Sequence, residues 1–417
     1  MPTRNISFPD TPWYRFKDVN PRVGAAYDVF GNGKTAIKVN VGRYTQAADP
    51  TQGNPISTQL VNRVTRSWND TTAPGSPNYY VPQCNLLNPL ANGNCGTISD
   101  LRFGTPIPST TYDPAVQGGW GVRPHDWEFS TSVQHQLFKR VGIDVGYFRR
   151  IRGGFLVTDN LAVSPTDFGV FSITAPVNPG LPGGGGNVIG GLYNVNQNKV
   201  GQVNNYVTSA DNFGGETEHW NGVDITVNAR FGTGGLVRGG ISTGRTATND
   251  CAIVVNNPQL SVVTTTLGTV QSTQMCALQT PFLTQAKLLA TYTVPKVGVD
   301  VAGTFQSLPG PVIPANYLAT NALVAPSLGR PLSGGAANTT VNIIAPGSLY
   351  GQRLYQLDLR VSRSLRFGRT RGRVNLDAYN ALNGNFITSV NANYASFMTP
   401  TGILNPRLFK ISAQFDF

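Results

Sequence analysis

Four cysteines fall as two local pairs, Cys84 with Cys95 and Cys251 with Cys276. Pairs this close in sequence read as disulfides that close loops in an oxidising compartment. The alternatives are free thiols or a zinc site. Zinc fits less well, because the spacings are wide and the chain holds only three histidines, His125, His135 and His219. His125, Asp126 and Glu128 lie close enough to prompt a metal or acid–base reading. On a strand, however, neighbouring side chains point to opposite faces, so His125 and Asp126 would point apart. Gly33-Lys34-Thr35 has the ending of a phosphate-binding loop, but that loop needs a glycine at position 28, which is Asp28, and a helix afterwards. A strand pattern follows instead, so a hairpin turn accounts for it. The run Gly183–Gly186 reads as flexible loop. No Ser/His/Asp or Cys/His arrangement can be nominated, so no catalytic residue, metal ligand or cofactor site is expected, and an enzyme is not the expected class.

The remaining charged residues do something else. Glu128, Asp144, Asp224, Asp300, Asp358 and Asp377 each alternate with apolar neighbours, as do Arg230, Arg360 and Arg373. Such carboxylates and arginines would wet one face of a sheet and pair with each other there. The elements that must carry them are strands. Ile37, Val39 and Val41 alternate with Lys38, Asn40 and Gly42, and Val223, Ile225 and Val227 with Asp224, Thr226 and Asn228. The period-two pattern predicts about eleven strands: 22–30, 34–45, 126–137, 141–157, 218–231, 235–248, 284–294, 297–307, 352–366, 371–382 and 407–417.

Short turns join these strands in pairs: Gly31-Asn32-Gly33, Lys139-Arg140, Gly232-Thr233-Gly234, Pro295-Lys296 and Gly368-Arg369-Thr370. Long segments separate the pairs, at 46–125, 159–217, 249–283, 308–351 and 383–405. In an antiparallel sheet this alternation puts every short turn at one end and every long loop at the other. The loops are rich in Gly, Pro, Asn and Thr and predict irregular structure, with one apolar run of their own at Cys251–Val270.

Composition narrows the class. Only 13% of the 417 residues are charged, against about a quarter in ordinary soluble domains. No run approaches the roughly 20 apolar residues of a membrane-spanning helix, which does not exclude a membrane, since barrel strands alternate. The net charge of +11 is spread over strands and turns, and its densest group is Arg360, Arg363, Arg366, Arg369, Arg371 and Arg373. No nucleic-acid motif accompanies it, so a solvated or headgroup-facing rim is expected and nucleic acid is not.

The last strand is the most telling. Phe409, Ile411, Ala413, Phe415 and Phe417 share one face, and Lys410, Ser412, Gln414 and Asp416 the other. A two-faced, aromatic-ended strand suits an outer-membrane β-barrel, with lipid outside and a polar lumen inside. These five residues are the candidate insertion signal for barrel assembly. Trp13, Tyr14, Trp120, Trp127, Tyr147, Phe148, Trp220 and Phe367, with the C-terminal phenylalanines, fall near strand ends and suit interfacial belts. Tyr79, Tyr80 and Tyr112 in the loops could meet a ligand. Single-chain bacterial barrels have even strand numbers. Eleven is half of twenty-two, and the start M-P-T-R-N-I-S lacks a signal-peptide pattern. The expectation is one barrel domain over 1–417, the C-terminal half of a larger barrel, with signal peptide and plug outside this chain. Alone, such a half would leave two unpaired edges.

Three stretches resemble the C-terminal barrel of TonB-dependent outer-membrane receptors, especially the Oar-like branch with a carboxypeptidase-regulatory-like domain. They are Phe16–Asp28 with its continuation through Gly31–Thr35 to Gly42-Arg43-Tyr44, then Asn375–Asn383, then Pro406–Phe417. The resemblance implies a twenty-two-stranded plugged barrel in the cell outer membrane of a Gram-negative type bacterium. It implies uptake of a scarce nutrient (a metal chelate, vitamin, glycan or peptide), with TonB engaged only through the N-terminal part. The implied partners are outer-membrane lipid and lipopolysaccharide, the barrel assembly machinery and an unidentified small ligand. The alternative is a non-transporting surface binding or adhesion β-protein.

Overall fold

The computed structural model describes residues 14–47, 61, 63–105, 110–232, 234–262, 272–368 and 370–416. All eleven predicted strands are present and form one antiparallel wall: β1 (Arg22–Asp28), β2 (Thr35–Thr45), β3 (His125–Phe138), β4 (Val141–Gly153), β5 (Thr217–Phe231), β6 (Gly235–Asn249), β7 (Gln285–Val294), β8 (Val299–Leu308), β9 (Leu354–Phe367), β10 (Thr370–Tyr379) and β11 (Leu408–Asp416). Each pairs with the next in chain order, so β1 and β11 are the two ends of the path. A short strand, Ala277–Gln279, pairs with the loop end of β6.

Register gives this wall its two faces. Val39 pairs with Thr131, Thr131 with Tyr147, Tyr147 with Val223 and Val223 with Thr243. One row along, Ile37, Val133, Val145, Ile225 and Ile241 stand side by side. The band continues through Leu288, Phe305 and Leu357, and through Val361, Leu376 and Ile411. Directly paired residues share a face, so the apolar residues form one surface across all eleven strands. Among the described residues nothing covers it: Val39 is 44% exposed, Leu376 46% and Ile411 77%.

The tight ends follow from local chemistry. Between β1 and β2, Gly31 and Gly33 take φ of 64° and 70°. The Asp28 carboxylate accepts from the backbone N–H of Phe30 at 3.3 Å and of Gly33 at 2.6 Å. Arg140 and Lys296 take φ of 67° and 73° in the other hairpins, and Gly232 and Gly368 take 56° and 63°. Thr233 and Arg369 lie outside the described residues.

The structure corrects two expectations. The strand expected over 141–157 ends at Gly153, because Gly154 turns the chain with φ of 74°. Residues Leu156–Asn160 instead join a small sheet with Asn205–Ser209, Thr110–Tyr112 and Leu260–Val262. Second, the long loops are not irregular. They fold into hairpins, Phe168–Thr174 with Val188–Val195, Asn316–Thr320 with Asn338–Asn342 and Ile387–Val390 with Pro400–Ile403. Their buried core joins Phe171, Ile173, Leu192, Ile313, Val324 and Val341. Residues from several loops make up this core, so the layer depends on those loops meeting. Val157 and Val324 are 0% exposed and Ile189 1%. Cys84 is bonded to Cys95 and Cys251 to Cys276 within this layer.

Candidate functional site

On the polar face, at the loop end of β1 to β5, lies a recess of about 460 Å³. Its shape comes from glycines facing aromatics. Tyr44 lies over Gly42, Phe148 over Gly146, and Trp220 over Gly222 and Gly244. A Cβ on Gly222 would sit 2.1 Å from the Trp220 ring, and one on Gly244 2.4 Å from it. These glycines are required by close approach of the rings rather than by backbone conformation. The Arg22 guanidinium lies 4.5 Å over the Tyr44 ring. Glu128 accepts an ion pair from Arg150 at 2.6 Å, and Asp224 also lines the recess, with one carboxylate oxygen buried and unpartnered. Aromatic planes, guanidinium groups and carboxylates together suit a polar ligand with flat or sugar-like faces.

The same face carries ion pairs along the rest of the wall. Arg360 pairs with Asp377, whose neighbour across the sheet is Lys410. Arg373 reaches Asp300 at 3.3 Å and the Ser362 hydroxyl at 3.0 Å. Arg360 and Arg373 thus take the expected role. Glu128 takes Arg150, and Arg230 has no ion pair among the described residues. Sequence could not choose, because the choice depends on register between β3 and β4.

Two of the resembling stretches become polar knots. Asp18, nearly buried, holds Arg123 at 2.6 Å and Arg43 at 3.5 Å. Arg43 also donates to the carbonyls of Val19 and Gly121. At the other end of the wall, Asn380 has φ of 47° and is 3% exposed. It donates through Nδ2 to the carbonyls of Gly384 and Asn405, accepts from the Gly384 N–H, and gives its own N–H to Asp358. These residues fix where β2 and β10 leave the wall.

Just before the start of β5 lies a buried acidic group that sequence reasoning missed. Both Glu216 carboxylate oxygens and one Asp250 oxygen are buried without a partner. Burial, then the nearby charges of Asp250 and Glu218, push the Glu216 carboxyl up to about 8. Arg152 reaches Glu218 at 3.7 Å. The signal available was only a Glu at the junction of strand and loop.

The other expected positions are spread out. His125 donates from Nδ1 to the Arg123 carbonyl, 2.9 Å away, while Asp126 faces the opposite side of β3. Among the described residues no three His, Cys, Asp or Glu side chains could hold a metal ion. Phe409, Ile411, Ala413 and Phe415 stand on the exposed apolar face, and Phe417 lies outside the described residues, as does Trp13. Trp127 and Tyr147 face outward, but Phe148 and Trp220 face the recess, so those two do not belong to an interfacial belt. Tyr79 and Tyr80 touch in the first loop, with ring centroids 4.2 Å apart and planes tilted by 46°.

No family model matches the chain, and no curated protein does. Among solved structures it is similar to the outer membrane transporter YddB from Escherichia coli, at 10% identity and a TM-score of 0.41, over 94% of this chain and 39% of that one. It is similar to the pyoverdine outer membrane receptor FpvA from Pseudomonas aeruginosa PAO1, at 11% identity and a TM-score of 0.41, over 95% of this chain and 36% of that one. It is also similar to the siderophore receptor PirA from Acinetobacter baumannii, at 11% identity and a TM-score of 0.40, over 94% of this chain and 40% of that one. The chain spans well under half the length of each.

Proposed function

We propose that this chain is half the wall and much of the outer loop layer of an outer-membrane barrel. Its parent would be a receptor of the TonB-dependent kind that admits a small polar ligand. The observation that carries the reading is the uncovered apolar band crossing all eleven strands, backed by an ion-paired opposite face. In water such a band is a large unfavourable surface. Against hydrocarbon it is what a spanning wall requires, since all but the end strands satisfy their backbone on both sides. Short hairpins at one end and a packed loop layer at the other supply the asymmetry of a barrel seen from inside and outside the cell.

On this reading the ligand first meets the loop layer, then the recess of Arg22, Tyr44, Phe148, Arg150 and Trp220. The strands that close the barrel beyond β1 and β11, the plug and the contact with TonB would come from the N-terminal part of the parent protein. Phe409, Ile411, Ala413, Phe415 and Phe417 would present the assembly signal. Fractionation tests the reading. The native polypeptide that carries this chain should sediment with outer membranes, need detergent for release and shift in mobility on heating. Release by salt or carbonate would overturn it. Uptake of a candidate ligand that survives loss of TonB would overturn the energised-receptor part alone.

A further inference from the structure

Near its loop end the exposed apolar face carries an ordered polar row across three neighbouring strands. Register sets Arg149 of β4 beside Asn221 of β5, and Asn221 beside Arg245 of β6. All three share the face of Tyr147, Val223 and Thr243. Tyr147 donates its hydroxyl to Asn221 Oδ1 at 2.8 Å, and Arg149 Nη1 donates to the same oxygen at 3.3 Å. Both of these hydrogen bonds end on Asn221 Oδ1 rather than on its amide nitrogen. The Arg245 guanidinium lies 4.8 Å over the Phe282 ring. Neither Arg149 nor Arg245 has an acidic partner among the described residues. Their neighbours on the inner face do: Arg150 has Glu128 at 2.6 Å and Arg152 has Glu218 at 3.7 Å.

Position adds the second constraint. Two residues nearer the loops the same face carries Trp127 and Ile151, and two residues further in it returns to Tyr147 and Val223. The arginines therefore sit at the outer margin of the apolar band, among aromatic rings, where a guanidinium without a counter-ion is costly. Neighbouring strands are about 4.8 Å apart, so Arg149 and Arg245 stand roughly 10 Å apart and can close on one group. Their forked donors match phosphate oxygens.

We propose that Arg149, Asn221 and Arg245 bind a phosphate of an outer-leaflet glycolipid of the lipopolysaccharide kind, whose acyl chains lie on Phe129, Tyr147 and Phe282. The lipid is favoured over a free anion because the row is framed by apolar residues on both sides. This inference rests on the outward face being lipid-facing.

The test uses the native polypeptide carrying this chain, purified from outer membranes in mild detergent, with retained glycolipid measured by native mass spectrometry. Wild type should retain phosphorylated lipopolysaccharide at least about ten-fold better than the same lipid after enzymatic dephosphorylation. The R149A/R245A protein should lose that preference, and R149K/R245K should keep part of it. Inorganic phosphate should not displace the lipid. Equal retention of both lipids by wild type overturns the proposal without any variant, and displacement by inorganic phosphate overturns the lipid assignment. A wild-type protein released from membranes without detergent would instead overturn the reading of the wall.

Discussion

The wall and the loop layer are built from similar alternating strands, yet they bury opposite things. In the loop layer Val157, Ile189 and Val324 are sealed among other apolar side chains. In the wall Val39, Leu376 and Ile411 stand in open rows, although their registers align them just as regularly. A period of two therefore fixes which residues share a face but not which solvent that face meets. The loop layer has its own core and follows the rules of a water-soluble domain. Among the described residues the wall has no core behind its apolar face, which is the arrangement a sheet facing hydrocarbon would need.

The difference can be broken from either side. Ile189→Ala should cost the loop layer about 4 kcal/mol through a cavity in its core. Limited proteolysis should then cut the loops faster, while heat-shifted mobility and membrane insertion stay unchanged. Ile225→Arg, in the middle of the outward band, should cost about 3 kcal/mol and reduce insertion. Loop cutting should not change in the fraction that does insert. Equal insertion of Ile225→Arg and wild type would place that face in water.

Reduction of Cys84–Cys95 and Cys251–Cys276 should loosen the loop layer by about 2–3 kcal/mol per bond and leave the wall folded. Proteolysis with and without reductant measures it, and identical digestion patterns would remove the disulfides from the account. The smallest effect concerns pH. The Glu216 carboxyl is raised to about 8, mainly by burial and then by Asp250 and Glu218, from an ordinary value of 4.5. Folding therefore favours its protonated form. The associated stability is fully present below pH 4.5 and is lost as pH rises towards about 8. Amide exchange in Ala210–Phe213 and Cys251–Val254 should accelerate over that window, and Glu216→Gln should flatten the dependence.

How much of this was legible in the sequence follows the same division. All eleven wall strands were, because alternation and two- to four-residue turns are local signals. So were the disulfide pairs and the inward ion pairs of Arg360 and Arg373, each lying within one hairpin or reached from its neighbour. The loop layer was not. Arg330 donates to Asn194 at 2.7 Å across 136 positions, and Ser67 to the Gly334 carbonyl across 267. Contacts of that range leave no periodic trace. The recess was half legible: Trp220 and Phe148 were visible as aromatics, but their turn onto Gly222, Gly244 and Gly146 needed both register and the absence of a Cβ.

Spin labels placed one at a time from position 223 to 228 on β5 would decide whether hydrocarbon meets the apolar face. A lipid-facing wall predicts collisions with oxygen highest at 223, 225 and 227, and collisions with a water-soluble nickel complex highest at 224, 226 and 228. Maxima of both at the same positions would contradict it.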